Sequence, residues 1–133
     1  MTTQIAQFGL PEETGYGFAQ AVRVGGTVYV SGQIGRDGDD RPAEMGPQMR
    51  IAYARIARLL ATFGGSMSDV VDETVYVADM RAAAAVVRAV RAEAYGPGPM
   101  QMASTLIAVA GIGSPDAAVP ALVEIKCTAV VRP

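Results

Sequence analysis

Histidine and tryptophan are absent from this chain of 133 residues, and it contains one cysteine, Cys127. Without histidine the chain cannot form a Ser-His triad or use an imidazole as general acid or base, and it lacks the commonest metal ligand. A single cysteine excludes an internal disulfide. The carboxylates do not show a spacing typical of metal sites. We therefore predict that the protein binds no metal ion.

Charge is also scarce, because only 18% of the residues are charged and the net charge is −2. Such a chain has no general attraction to nucleic acid or to an anionic membrane. No hydrophobic run approaches the ~18 residues of a membrane span. Residues 1–8 have neither the basic start nor the apolar stretch of a signal peptide. We expect a soluble, cytoplasmic protein with no nucleic-acid or membrane partner.

Hydrophobic residues are abundant, at 50% of the chain. The length predicts a single domain over residues 1–133. A domain this small has an unfavourable ratio of surface to volume, and it cannot easily bury so much apolar material alone. The composition therefore favours contact between subunits.

Alternating apolar residues predict strands near both ends of the chain. Residues 21–35 form two short strands joined at Gly25-Gly26, with Val28 and Val30 on one face and Tyr29 on the other. In the last strand, residues 121–131, the same alternation places Cys127 on the core face. We interpret Cys127 as a buried small hydrophobic residue rather than a nucleophile.

Two helices follow from apolar spacings of three and four. The first runs from about residue 47 to Gly64-Gly65, and the second begins after the N-cap Asp79 and ends at residues 95–97. With strands at 72–78 and 104–109, the order is β-β-β-α-β-α-β-β. This order predicts an α+β fold, a mixed sheet with both helices on one face and a bare face that favours self-association. Six helical arginines are predicted to be mainly solvated: Arg50, Arg55, Arg58, Arg81, Arg88 and Arg91.

Three segments together resemble the reactive intermediate deaminase (Rid, or YjgF) family: residues 21–35, 69–80 and 122–131. The resemblance extends over residues 15–131. It implies a chorismate-mutase-like, ferredoxin-like fold and a homotrimer whose sheets face a central barrel, with clefts for a small-molecule substrate between subunits. It also implies hydrolysis of enamines and imines to a carbonyl product and ammonia, without a cofactor.

The resemblance assigns the catalytic role to Glu124, which would orient or activate the attacking water. The alternative is an ion pair of Glu124 with Lys126 or with an arginine across an interface. Ser31 could hold substrate or water by its hydroxyl, or only satisfy backbone groups. The position of the family arginine that grips a substrate carboxylate falls on Ala103. The resemblance thus implies a divergent member of the family that lacks the carboxylate-binding arginine.

Further substrate-binding positions also depart from the family pattern. An aromatic hydroxyl falls on Phe18, unless Tyr16 supplies it, and a polar helix position falls on Val87. Gln101 and Ser104 could replace the missing arginine with neutral hydrogen bonds. These changes predict a more apolar pocket and a substrate without a small 2-imino acid carboxylate.

Two functional hypotheses remain open, an imine or enamine hydrolase and a non-catalytic protein that binds small molecules in the same clefts. Ribonuclease activity is disfavoured, because the chain is acidic, lacks histidine and shows no aromatic and basic surface for stacking single strands. The loop at residues 111–120 fits a mobile lid or an inert surface insertion equally well.

Overall fold

The computed structural model describes residues 2–132, which form one six-stranded sheet with helices. The strands are β1 (Thr3–Ala6), β2 (Ala21–Val24), β3 (Thr27–Ile34), β4 (Val70–Val77), β5 (Ala103–Ala108) and β6 (Val123–Val130). The helices are α1 (Pro11–Tyr16), α2 (Met45–Thr62) and α3 (Met80–Tyr95), with a 3-10 turn at Met67–Asp69. The predicted order of six strands and two long helices is confirmed, and the structure adds the short helix α1.

The strands lie in the order β1-β2-β3-β6-β4-β5. β4 and β5 pair in parallel, because α3 forms the crossover that connects them. The other neighbouring strands pair antiparallel. The sheet is therefore mixed, as predicted, and β5 forms one of its edges.

The hydrophobic core lies between the sheet and the two long helices, which pack on the same face. Alternate strand residues point into it, so that the predicted core face of β6 is confirmed and Cys127 is buried. α2 contributes a stripe that includes Met49, Ile56 and Leu60. Burial of this one-sided stripe stabilises a helix whose outer side remains polar.

The helix ends follow local hydrogen bonding. Asp79 is the N-cap of α3, as predicted, and its Oδ1 accepts from the backbone N–H of Ala82 at 3.0 Å. The missed helix α1 begins at Pro11, a residue favoured in the first turn. The carboxylate of Glu13 accepts from the backbone N–H groups of Phe8, Gly9 and Leu10.

The face of the sheet opposite the long helices is open. Ile5, Tyr29 and Ile107 are exposed there to 61%, 55% and 45%. Cross-strand pairing puts them on the same side as Glu124. Ile5 and Tyr29 both stand opposite Val22, and Tyr29 stands opposite Thr128 on the Glu124 face of β6. Ile107 and Glu124 both stand opposite Tyr76. This is the bare apolar face that the element order predicted. Within residues 2–132, no helix is both long and apolar enough to cross a bilayer.

Candidate functional site

Glu124 lies on the open face of β6, where strand alternation turns it away from the core. It stands opposite Ile34 of β3 and Tyr76 of β4. β3 is irregular between Val30 and Gln33, so that Gly32 lies under the Glu124 side chain. A Cβ added to Gly32 would be 2.6 Å from Cδ of Glu124. The glycine therefore leaves the space that the carboxylate occupies.

The Glu124 carboxylate is partly buried, and burial raises its pKa. Among residues 2–132 no ion pair joins it to Lys126 or to any other cation. Within one chain Glu124 therefore forms no ion pair with Lys126, and the alternative of a pair across an interface stays a prediction. A carboxylate with a raised pKa and no fixed counterion is better suited to accept and return a proton than a carboxylate with the ordinary pKa.

A pocket of about 290 Å³ lies beside Glu124, where α1, the end of β3 and residues 36–39 meet. Phe18 and Glu124 both line it, so the structure brings these two predicted site residues together. Tyr16 lines the same pocket, and its role as the source of the aromatic hydroxyl stays a prediction. Gly113 from the loop at 111–120 also contributes.

Ser31 lies next to this pocket, and its hydroxyl has a local partner. Its Oγ donates to the backbone carbonyl of Ala19 at 2.6 Å, and its N–H donates to the carbonyl of Gln20. These bonds fix the segment before β2 to β3. The hydroxyl oxygen can still accept a hydrogen bond. The role of Ser31 toward substrate stays a prediction.

The other predicted substrate-binding residues lie elsewhere in the chain. Val87 lies on the buried side of α3 and packs in the core. Gln101 lines a separate pocket. Ala103 stands opposite Asp72, which stands opposite Thr128 of β6. Four residues along β6 and two strands across the sheet correspond to roughly 16 Å between Ala103 and Glu124. One chain does not bring them together, and their roles stay predictions.

Ser104 belongs to a buried network around Glu73, which sequence reasoning missed. Glu73 is 0% exposed, and its Oε2 accepts from Ser104 Oγ at 2.6 Å and from Arg91 Nε at 3.0 Å. Its Oε1 accepts from the hydroxyls of Tyr53 and Tyr95, each at 2.7 Å. Burial, then the charge of Glu73, raises the pKa of both tyrosines, which keeps them protonated donors. The prediction that Arg91 is solvated is wrong.

Arg55 is the second arginine for which the solvated prediction is wrong, because it is only 8% exposed. Its Nε donates to Gln33 Oε1 at 2.9 Å, and its Nη1 donates to the Arg36 carbonyl at 2.7 Å. The guanidinium also lies over the ring of Phe8, 4.7 Å from the ring centre. Burial lowers its pKa, and a guanidinium nevertheless stays charged in proteins at neutral pH.

Arg55 lines the pocket that contains Glu124. The sequence carried a signal for this position, because Arg55 is three residues after Ala52 and four before Leu59. Both belong to the buried stripe of α2. The site thus combines a carboxylate on the open face of the sheet with a guanidinium from the helix layer.

Comparison with known proteins identifies the family. A family model described as Endoribonuclease L-PSP matches residues 12–131. The YjgF/YER057c/UK114-family protein of Mycobacterium tuberculosis has a similar structure, with a TM-score of 0.81 at 31% identity, covering 98% of this chain and 100% of that one. The chain therefore belongs to the Rid/YjgF family, as the sequence resemblance indicated.

Two further relatives carry names related to this family. RidA of the Antarctic bacterium Psychrobacter sp. PAMC 21119 superimposes with a TM-score of 0.76 at 27% identity, covering 98% of this chain and 99% of that one. A 2-iminobutanoate/2-iminopropanoate deaminase of Dermatophagoides farinae is 35% identical over 63 residues. That match covers 45% of this chain and only 49% of the relative, so the chain aligns with about half of that protein.

Proposed function

We propose that this protein hydrolyses a reactive enamine or imine at Glu124, releasing ammonia and a carbonyl product. One observation carries the proposal: a partly buried carboxylate without a counterion among the described residues faces a pocket. Membership of the Rid/YjgF family and similarity to a protein named as an imine deaminase support the same reaction class.

The chemistry needs only water and a proton carrier. Ionised Glu124 accepts a proton from water as the water oxygen bonds to the carbon of the protonated imine, which gives a neutral carbinolamine. The protonated carboxyl then gives its proton to nitrogen. The C–N bond breaks, ammonia leaves, and Glu124 takes the proton of the hydroxyl as the carbonyl forms. An enamine first takes a proton on carbon to become the protonated imine. The raised pKa of Glu124 suits both halves of this cycle.

The substrate class is narrowed by Ala103, which offers no guanidinium to a small 2-imino acid. A charge-assisted pair with a carboxylate contributes about 1.5–3 kcal/mol. Without it at this position, we propose a substrate that does not depend on a small 2-imino acid carboxylate for its orientation. Gln101 and Ser104 would supply at most neutral hydrogen bonds, and Ser104 is already bonded to Glu73.

We also propose that the working form is a homotrimer with substrate clefts between subunits. The open apolar face with Ile5, Tyr29 and Ile107 supports self-association. The separation of Ala103 from Glu124 within one chain supports a cleft to which two copies contribute. Sedimentation analysis of the purified chain would test the assembly directly.

The reaction is tested by generating imines with an amino-acid oxidase while semicarbazide competes for them. Glu124→Gln should lower kcat/KM by about 10²–10⁴-fold, the usual contribution of a general base. Glu93→Gln is the matched control, because Glu93 is an exposed glutamate paired with Arg50 on the helix layer. Equal activity of wild type and Glu124→Gln on every imine tested would contradict the proposal.

A non-catalytic protein that binds small molecules is the second candidate, and Ala103 favours it. Such a protein would keep the pocket but turn over no imine, and Glu124→Gln would change only ligand affinity. Ribonuclease activity is not proposed for this chain, although the family description contains that term. The chain has no histidine and a net charge of −2.

A further inference from the structure

Arg55 has unused hydrogen-bond donors in the pocket. A guanidinium has five N–H donors, and the bonds to Gln33 and Arg36 use two of them. Nη2 has no partner among residues 2–132. Within residues 2–132, every fully buried side-chain nitrogen or oxygen has a hydrogen-bond partner. Because Nη2 has no partner, it is not fully buried. Arg55 lines the pocket of Glu124, so this nitrogen has access to open space there.

Arg55 also has no counterion among the described residues. Arg91, which is partly buried, pairs with Glu73 at 3.0 Å. Glu12 and Asp39 line the same pocket as Arg55, but neither forms an ion pair with it. An anion that binds a buried guanidinium held only by neutral acceptors forms strong charge-assisted hydrogen bonds with it and compensates its buried charge.

The two charged groups approach the pocket from opposite sides of β3. Gln33 points to the core face and binds Arg55, whereas the preceding Gly32 lies under Glu124 on the open face. A ligand that contacts both groups within their shared pocket must reach from one side of β3 to the other. Its anionic end at Arg55 and the atom that faces Glu124 are therefore different ends of the ligand.

We propose that Arg55 binds a substrate carboxylate that is separated by several bonds from the C=N carbon facing Glu124. The substrate class is then an imine or enamine with a distal carboxylate, such as the imine of a dicarboxylic amino acid. This inference rests on the proposed function for the reaction, but the anion site itself does not require turnover.

The test compares the imines formed by oxidases from glutamate and from methionine, which have unbranched tails of similar length with and without the distal charge. Wild type should prefer the glutamate imine by at least about 10-fold in kcat/KM. Arg55→Met should reduce this ratio to near one. Arg58→Met is the matched control: Arg58 also lies over Phe8, at 4.9 Å, but it is exposed and does not line the pocket. It should keep the preference.

A wild-type ratio near one, or an Arg55→Met ratio equal to that of wild type, overturns the proposal. If no imine is hydrolysed, the proposed function fails, and calorimetry decides the anion site separately. Wild type should then bind 2-oxoglutarate at least about 10-fold more tightly than 4-methylthio-2-oxobutanoate, and equal affinities overturn it. If Arg55→Met does not fold, Arg55→Gln replaces it with the same expected loss of preference, and the wild-type preference still tests the inference.

Discussion

Gly32→Ala should disable the site while leaving the fold intact. The new Cβ would lie 2.6 Å from Cδ of Glu124, whereas ordinary contacts begin at 3.4 Å, so the carboxylate must move by about 0.8 Å. A misplacement of about 1 Å in a catalytic group costs on the order of 10²-fold in rate. Stability should change by less than about 1 kcal/mol, because Gly32 has no positive φ and the contacted atoms belong to a flexible side chain.

The assay is imine hydrolysis under semicarbazide competition, with the free energy of unfolding measured in urea for each variant. Gly111→Ala is the matched control, since a Cβ there meets no atom within 4 Å and its φ is not positive. It should keep wild-type kcat/KM. If Gly32→Ala keeps full activity while Glu124→Gln loses it, the carboxylate does not act from its position over Gly32, and the reasoning is refuted.

Three further predictions follow from burial. Because burial raises the pKa of Glu124 above 4.5, kcat/KM should fall as pH decreases through that raised pKa, and the unfolding free energy should fall as pH rises through it. Both dependences, measured against pH, should be absent in Glu124→Gln. Glu73→Ala should lower the unfolding free energy by about 3–5 kcal/mol in urea titration, whereas the exposed Glu93→Ala should change it little; equal losses would contradict this. Burial raises the pKa of Cys127 to about 12, so iodoacetamide should alkylate it only after denaturation, and labelling of the native protein seen by mass spectrometry would refute its burial.

The sequence predicted the sheet and the long helices because their burial is periodic. Alternation in β6 separated Cys127 from Glu124 correctly, since only one face of the sheet meets the helices. The Asp79 cap was readable because its partner lies three residues away. Helix α1 was missed because six residues carry no apolar stripe, although Pro11 marks its start.

The site was less predictable because its contacts join distant parts of the chain. Glu73 binds Tyr53 and Ser104, which lie 20 and 31 residues away in sequence. Arg55 was assigned to solvent by its charge, although its helix position is buried. Its acceptor Gln33 lies 22 residues away, and no local sequence pattern predicts a hydrogen bond over that separation. The family resemblance assigned Glu124 and Phe18 to one site, and both line the same pocket. It also assigned Ala103 to that site, but Ala103 lies far from Glu124 within one chain.

The loop at residues 111–120 is held at both of its ends. The N–H of Val109 donates to the carbonyl of Val77, and Arg41 and the buried amide of Gln48 donate to the carbonyls of Val119 and Pro120. Gln48 also accepts from the N–H of Leu122, two residues before Glu124. Any movement of this loop is therefore confined to residues 110–118. Whether the loop covers the pocket at Gly113 or is an inert insertion, the strand that carries Glu124 keeps its position.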